Sequence, residues 1–263
     1  FLIVLFADIS SAGRVDVHAL SQQTLMELLV GGFETPQTIS GFSSHPRDIS
    51  TWTGVDVDRE TQNVTTINWT QLQMKGSLET RWIPSTVKTL RSGLNDLSGS
   101  LDLSTLPDSL LFASVQQNLF FGSIDLCHLP PKLDFLNVKQ NQLNGSADLE
   151  HLPDSLRVLV LSMNQFSGNI SLQHLPPHIE NLDLDHNDFS GAVDITHLPE
   201  TIYSLDLSSN GFSGWTDFSQ LPEVFEWLDV SETNMSGEIH TSKDSWSHFN
   251  VDKSDVTKHR TKE

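Results

Sequence analysis

"LPDSLRVLVLSMNQFSGNI" runs from Leu152 to Ile170, and a close variant, "LPPHIENLDLDHNDFSGAV", runs from Leu175 to Val193. The same step of 23 residues places Gly76, Gly99, Gly122, Gly145, Gly168, Gly191, Gly214 and Gly237 in one column. Two positions before each glycine stands a large apolar residue: Met74, Leu97, Phe120, Leu143, Phe166, Phe189, Phe212 or Met235. Four positions before it stand Asn95, Asn118, Asn141, Asn164, Asn187 and Asn210, with Leu72 and Thr233 at the two ends. Pro84, Pro107, Pro130, Pro153, Pro176, Pro199 and Pro222 keep the same phase. A period of about 20–29 residues with L-x-x-L-x-L-x-x-N spacing is the mark of a solenoid.

Each column has a physical reason. Leu156, Leu159 and Leu161 point inward and stack coil on coil, so no coil can bury its apolar face without neighbours. The alternation Leu159-x-Leu161 has the period of a strand, and strands one coil apart pair in a parallel sheet at roughly 4.8 Å. Each column asparagine sits where the chain leaves that strand, and its amide can donate to and accept from the backbone of the turn. The glycine admits a backbone conformation or contact that a side chain forbids, and Leu-Pro ends the coil because proline cannot continue a ladder. The expected class is an α/β, β-rich solenoid of about eight 23-residue repeats.

"LRVLVLSMNQFSGNI" and "IYSLDLSSNGFSGWT" resemble the leucine-rich repeat family, in the variety seen in plant receptors and secreted protist proteins. The resemblance spans Val64 to Ile239. It implies a curved, right-handed coil with a parallel concave sheet, which in this family binds ligands. "STWTGVDVDRETQNVTTINWTQLQMKGSL", Ser50 to Leu78, is similar to the plant-type N-terminal cap, in which cysteines flank the tryptophan and form a disulfide. Here Thr51 and Val57 hold those approximate places, so the cap is expected without its staple. The cap helix is expected over Ser21 to Val30, ended by Gly31 and Gly32.

The organisation that follows is 1–12 as a partial signal peptide, 13–63 as the cap, 64–247 as repeats and 248–263 as a C-terminal cap or tail. "FLIVLFADISSAG" pairs an apolar run with the small-x-small site Ser10-x-Ala12, which marks the end of a secretory signal, with cleavage expected after Ala12. A buried strand or a signal anchor is the alternative. The chain opens on Phe1, so its start is expected to be truncated. At the other end, Phe249-x-Val251 followed by Ser254 and Val256 mimics a shortened ninth repeat, against a polar tail.

Acidic residues outnumber basic ones 34 to 15, for a net charge of −19. That excludes nucleic acid, which needs clustered cations, and disfavours anionic lipid. No later stretch approaches the roughly 20 apolar residues of a membrane span, so membrane insertion is confined to a signal or anchor at the N-terminus. Asn63, Asn68, Asn144, Asn169 and Asn234 begin N-x-S/T sequons, candidate glycosylation sites in a secreted chain. The columns of Asn144, Asn169 and Asn234 are polar, and all three are expected to be exposed. Cys127 is the one cysteine. Its column, Ser104, Cys127, Glu150, Gln173, Thr196 and Ser219, predicts a solvent-facing thiol between Asp125 and His128.

Alternate strand residues point to opposite faces, so the variable positions between the leucines face outward. Candidate ligand contacts are Arg91, Phe112, Phe135, Lys139, Val158, Val160, Asp183, Asp185, Asp206, Trp227 and Asp229. Phe112, Phe135 and Val158 share a column, with Val160 beside it, as an apolar stripe that the repeat does not require. It is either a contact site or a strand surface covered by the cap. Asp183, Asp206 and Asp229 stack with Asp185 adjacent, a zone suited to a cation or basic ligand, or else simply solvated. His128, His151, His174 and His197 form a ladder, with Asp125, Asp148 and Asp194 three residues before three of them. Imidazoles beside carboxylates suit zinc or a pH switch, but a straight ladder spreads ligands apart, so a surface ladder without metal is expected.

G-x-S-x-G, H-E-x-x-H, G-x-x-x-x-G-K-S/T and C-x-x-C are absent from the sequence. Asp183 and Asp206 have the roughly 5 Å spacing of retaining glycosidases, on an open face with nothing obvious to desolvate them. The expected function is a non-enzymatic extracellular or surface binding module, without cofactor, for a protein, peptide or glycan. Its rivals are an ectodomain fragment of a receptor or adhesin, and a cytosolic scaffold.

Overall fold

Two inward leucines bracketing one position per coil make a strand only three residues long, and the computed structural model shows how the coils stack these strands. It describes residues 16–41, 47–241 and 246–260, so the signal segment 1–12 lies outside the described residues. Among the described residues one sheet has ten strands. It begins with Val55–Val57 and Val64–Asn68, an antiparallel pair, and continues in parallel through Thr89–Arg91, Phe112–Ser114, Phe135–Asn137, Val158–Val160, Asn181–Asp183, Ser204–Asp206, Trp227–Asp229 and Phe249–Asn250. Within the repeats every strand pairs in phase, Phe135 with Val158 and Val158 with Asn181, so residue i faces residue i+23.

A second, nine-stranded sheet runs from Lys75–Ser77 to Asp255–Arg260 on the other side of each coil. Its register differs. Gln165 pairs with Asn144 and Gly168 with Phe189, an offset of 21 rather than 23. Each coil therefore slides two residues along its neighbour on this side, and unlike columns meet. Gly168 has φ +87 with open space where a Cβ would lie, so this glycine is needed for its left-handed backbone and not for room.

Between the sheets lies the core. Leu156, Leu159 and Leu161 are fully buried, as are Phe166, Phe189 and Phe212, whose rings stack at 6.1 and 6.0 Å between centroids. The asparagine ladder joins successive coils. Asn164 Nδ2 donates to the carbonyls of Leu161 and Ser162 in its own turn and to Val138 one coil back, and its Oδ1 accepts from Leu143 N. The residue before each ladder asparagine turns off the strand in the left-handed region, from Leu94 at φ 60 to Ser209 at φ 52. Each such non-glycine position costs on the order of 1 kcal/mol, which the asparagine bonds offset.

Both ends are closed. The cap helix spans Gln22–Val30, with Ser21 as its N-cap accepting from Thr24 N. Gln22 ties it to the first two coils, accepting from Val64 N at 2.7 Å and from Thr86 Oγ1 at 3.2 Å. In place of a disulfide, two tryptophans hold the cap. Trp52 Nε1 donates to Arg47 O, and buried Trp69 donates to Thr53 O while packing edge-to-face on Phe33. Gly54, at φ +71, lies so close to Asn68 that a Cβ would stand 2.0 Å from its carbonyl oxygen, which explains the glycine of the W-x-G-V segment. At the C-terminus a ninth coil forms: Phe249–Asn250 pairs with Trp227–Asp229, and Asp255–Arg260 pairs with Asn234–Thr241. The solenoid thus continues past residue 247 through these two strands.

A buried ring with no room to collapse is costly to remove. Phe166→Ala is expected to destabilise the chain by about 3–5 kcal/mol, measured by denaturant titration, whereas Phe135→Ala on the outer face should cost under about 2 kcal/mol. Equal losses would place Phe135 in the core.

Candidate functional site

The outward residues of the ten-stranded sheet divide into three zones along the solenoid. Toward the N-terminus, the Arg91 guanidinium lies 4.0 Å above the Phe112 ring, which stacks on Phe135 at 4.2 Å and 6°. Phe112, Phe135 and Val158 are half-buried and share one register column, while exposed Arg91, in register with Ser114, reaches diagonally over the Phe112 ring. Val160, expected to extend the stripe outward, is only 8% exposed and belongs with the packed surface.

Next comes a junction of opposite charges. Lys139 Nζ lies 3.7 Å from Asp183 and 3.9 Å from Asp185. Asp183 also accepts from Ser162 Oγ at 3.0 Å, and Asp185 contacts His186 Nδ1. Asp183, Asp185 and Asp206 bring carboxylate oxygens within 4.8 Å of one another. These groups are not freely solvated. Burial, then the neighbouring Asp185 carboxylate, pushes Asp183 up to about 7, with Lys139 opposing. Burial acts to raise Asp185, but the neighbouring Asp183 side chain, His186 and Lys139 together hold it below its ordinary value. Burial also raises Asp206, against two hydrogen bonds from Ser208. The expectation that nothing desolvates this zone is therefore corrected. Packing of unlike side chains on adjacent strands removes the water.

The third zone is the last full repeat. Asp229 is 9% exposed because Asn250, from the ninth coil, donates to its Oδ2 at 2.9 Å, and Asp185 is 8% exposed beneath its neighbours. Both were expected to face solvent, and both are mostly covered. Trp227 remains exposed at 43%. Of the expected contacts, Arg91, Phe112, Phe135, Lys139, Val158, Asp183, Asp206 and Trp227 thus present accessible surface, while Val160, Asp185 and Asp229 support them from beneath.

Asn68 is exposed on the same sheet, in register with Arg91; away from this face Asn144, Asn169 and Asn234 are exposed and Asn63 is half-buried, its Oδ1 accepting from Gln22. The histidine ladder is exposed, each ring beside one acid: His128–Asp125 at 2.6 Å, His151–Asp148 at 2.9 Å, His174–Glu150 at 3.3 Å and His197–Asp194 at 3.7 Å. Cys127 is exposed. Its thiol meets Asp148, 21 residues on, rather than His128, which is committed to Asp125. A groove of about 460 Å³ lies between the cap and the first coils, lined by Val17, Leu20, Leu25, Ile83 and Leu106. None of the candidate contacts lines it.

The buried acid pair carries a pH signature. Asp183 titrates higher in the folded chain than its ordinary value of 3.8, so the fold binds a proton that the unfolded chain releases. The stability this contributes is full below about 3.8 and is lost as pH rises through about 7. Asp183→Asn should flatten the fall in thermal midpoint between these pH values and raise the midpoint at neutral pH. An unchanged pH profile would refute the assignment.

No family profile and no curated protein matches the sequence. Among solved structures, the leucine-rich repeat ectodomain of the plant membrane receptor kinase GASSHO1/SCHENGEN3 from Arabidopsis thaliana, in complex with CASPARIAN STRIP INTEGRITY FACTOR 2, is similar at a TM-score of 0.62 and 20% identity. The likeness covers 90% of this chain and spans 29% of that one. A plant ice-binding protein is similar at a TM-score of 0.51 and 16% identity, over 90% of this chain and 94% of that one. At these identities the likeness concerns the fold. The chain thus has the parallel-strand solenoid fold of that leucine-rich repeat ectodomain.

Proposed function

We propose that the chain is a non-enzymatic extracellular or surface binding module that recognises a protein or peptide on its ten-stranded face. The observation that carries this reading is the stacked pair Phe112–Phe135 with Arg91 lying diagonally over it, where two rings remain half-exposed at positions the repeat leaves free. A few residues carry most of the binding energy at protein interfaces, and large aromatic and arginine side chains serve as such anchors. Accessible Asp206 and Trp227 lie coils away on the same sheet, so an extended ligand would meet apolar surface first and acidic surface farther on. The similar receptor ectodomain was solved with a bound factor, which supports a ligand on this fold. A second reading, in which the chain is the ectodomain of a longer receptor, uses the same face. A transcript continuing past Glu263 into a membrane span would favour it.

The test is affinity capture from extracellular material, comparing the wild type with Phe135→Asp and with Ser167→Asp, an exposed change on the opposite sheet. Loss of an anchor of about 2 kcal/mol weakens binding about 30-fold, so Phe135→Asp should lose the ligand and Ser167→Asp should keep it. Equal capture by all three would reject the face. The compartment has its own check. In material made through a secretory pathway, mass spectrometry should find sugar on Asn144, Asn169 or Asn234, and uniformly bare sites would reject the extracellular assignment.

A further inference from the structure

The flank of the solenoid brings together three side chains that the repeat columns keep apart. Cys127 Sγ donates to Asp148 Oδ2 at 3.4 Å, and the same oxygen lies 2.9 Å from His151 Nδ1. One sulfur, one oxygen and one nitrogen thus lie within 4.8 Å of one another, all on exposed residues. We propose that Cys127, Asp148 and His151 form a binding site for a zinc-class divalent cation.

The site is held from both coils. Asp148 Oδ1 accepts Glu150 N at 2.9 Å, which fixes the carboxylate and leaves Oδ2 facing the thiol and the imidazole. Asp125 Oδ1 accepts Cys127 N at 2.8 Å and fixes the backbone of the cysteine in the same way. Zinc bonds of about 2.3 Å to sulfur and 2.0–2.2 Å to oxygen or nitrogen require ligand atoms roughly 3.4–3.6 Å apart in a tetrahedron. The S–O edge already has that length. The edges to nitrogen need only a rotation of His151, whose side chain is 65% exposed. A mixed thiolate, imidazole and carboxylate set selects zinc or cobalt over calcium or magnesium, which take oxygen ligands. Coordination displaces the thiol proton to solvent, so two anionic ligands neutralise the dication and water completes the fourth position.

The other coils supply controls. An Asp-x-x-His pair recurs at Asp125/His128 and Asp194/His197. On this flank the partner of each acid stands 21 residues earlier, which is Ser104 for Asp125 and Gln173 for Asp194. Those coils therefore repeat the acid and imidazole without the soft ligand. Only between Cys127 and Asp148 does the register place a thiol against the pair.

The reduced chain titrated with Co²⁺ tests this directly. A thiolate-to-cobalt charge-transfer band should appear in the near ultraviolet, and Zn²⁺ should displace it. Cys127→Ser should abolish the band. Loss of an outer-sphere partner alone weakens a metal site about 10–100-fold, so Asp148→Asn and His151→Ala should each weaken binding at least tenfold, while His128→Ala leaves it unchanged. Circular dichroism should show every variant folded, since all four positions are exposed. Absence of the band in the wild type would overturn the proposal. So would a band whose affinity Asp148→Asn and His151→Ala leave unaltered, which would mean a thiol acting alone.

Discussion

A three-residue strand cannot hold a coil in place by itself, and the asparagine ladder is the constraint that lets such short strands stack. Each ladder amide does two jobs. Asn187 Nδ2 closes its own turn through Leu184 and Asp185 carbonyls, and it also reaches Leu161 O in the preceding coil, while its Oδ1 accepts Phe166 N there. The turn and the coil-to-coil spacing are thus set by one buried side chain. Leaving such donors and acceptors unpaired costs about 1–3 kcal/mol for each group. At the C-terminal end the ladder fades in a graded way. Thr233 Oγ1 donates to Val230 O and Ser254 Oγ to Val251 O, closing their own turns, but neither side chain is long enough to reach back. A ninth coil can therefore form, shortened, and then stop.

Because the ladder fixes the register at i to i+23 between the full repeats of the ten-stranded face, like stacks on like there. That is favourable for rings and unfavourable for carboxylates. Phe112 and Phe135 gain a stacked contact, whereas Asp183, Asp206 and Asp229 are forced into one column. The acids survive because each finds a separate compensation: Lys139 and Ser162 for Asp183, two bonds from Ser208 for Asp206, and Asn250 for Asp229. The face is therefore partly wired internally before any ligand arrives. A ligand for the acidic zone must compete with those bonds, while one for the aromatic column meets surface already aligned and only half-covered.

The fold was legible because its rules are repeated. Glycine, asparagine and phenylalanine columns each report the same coil many times, and the Ser21 cap and the helix behind it carry ordinary local signals. The face was legible in composition but not in exposure. Val160, Asp185 and Asp229 occupy outward positions by strand alternation, yet they are covered, because alternation fixes direction and says nothing of what the neighbouring long side chains and the ninth coil do above them. The cap's substitute for its missing disulfide was hidden for a related reason. Trp52 and Trp69 lie far apart along the sequence, and only the packing of Phe33 and the close approach of Gly54 to Asn68 shows how they replace a covalent link.

The flank was illegible for a sharper reason. Reading columns assumes that residue i meets residue i+23, and on the nine-stranded side the partner is i+21. Under the first rule Cys127 stands beside Glu150, an unremarkable polar neighbour. Under the second it stands beside Asp148, whose other partner is His151. The two registers also give the two surfaces different capacities. In-phase stacking multiplies one chemistry along a face, which suits an extended ligand. A slipped register sets one column against another, so a single substitution, such as cysteine where other coils carry serine or glutamine, creates a mixed cluster at one junction without disturbing the rest of the solenoid.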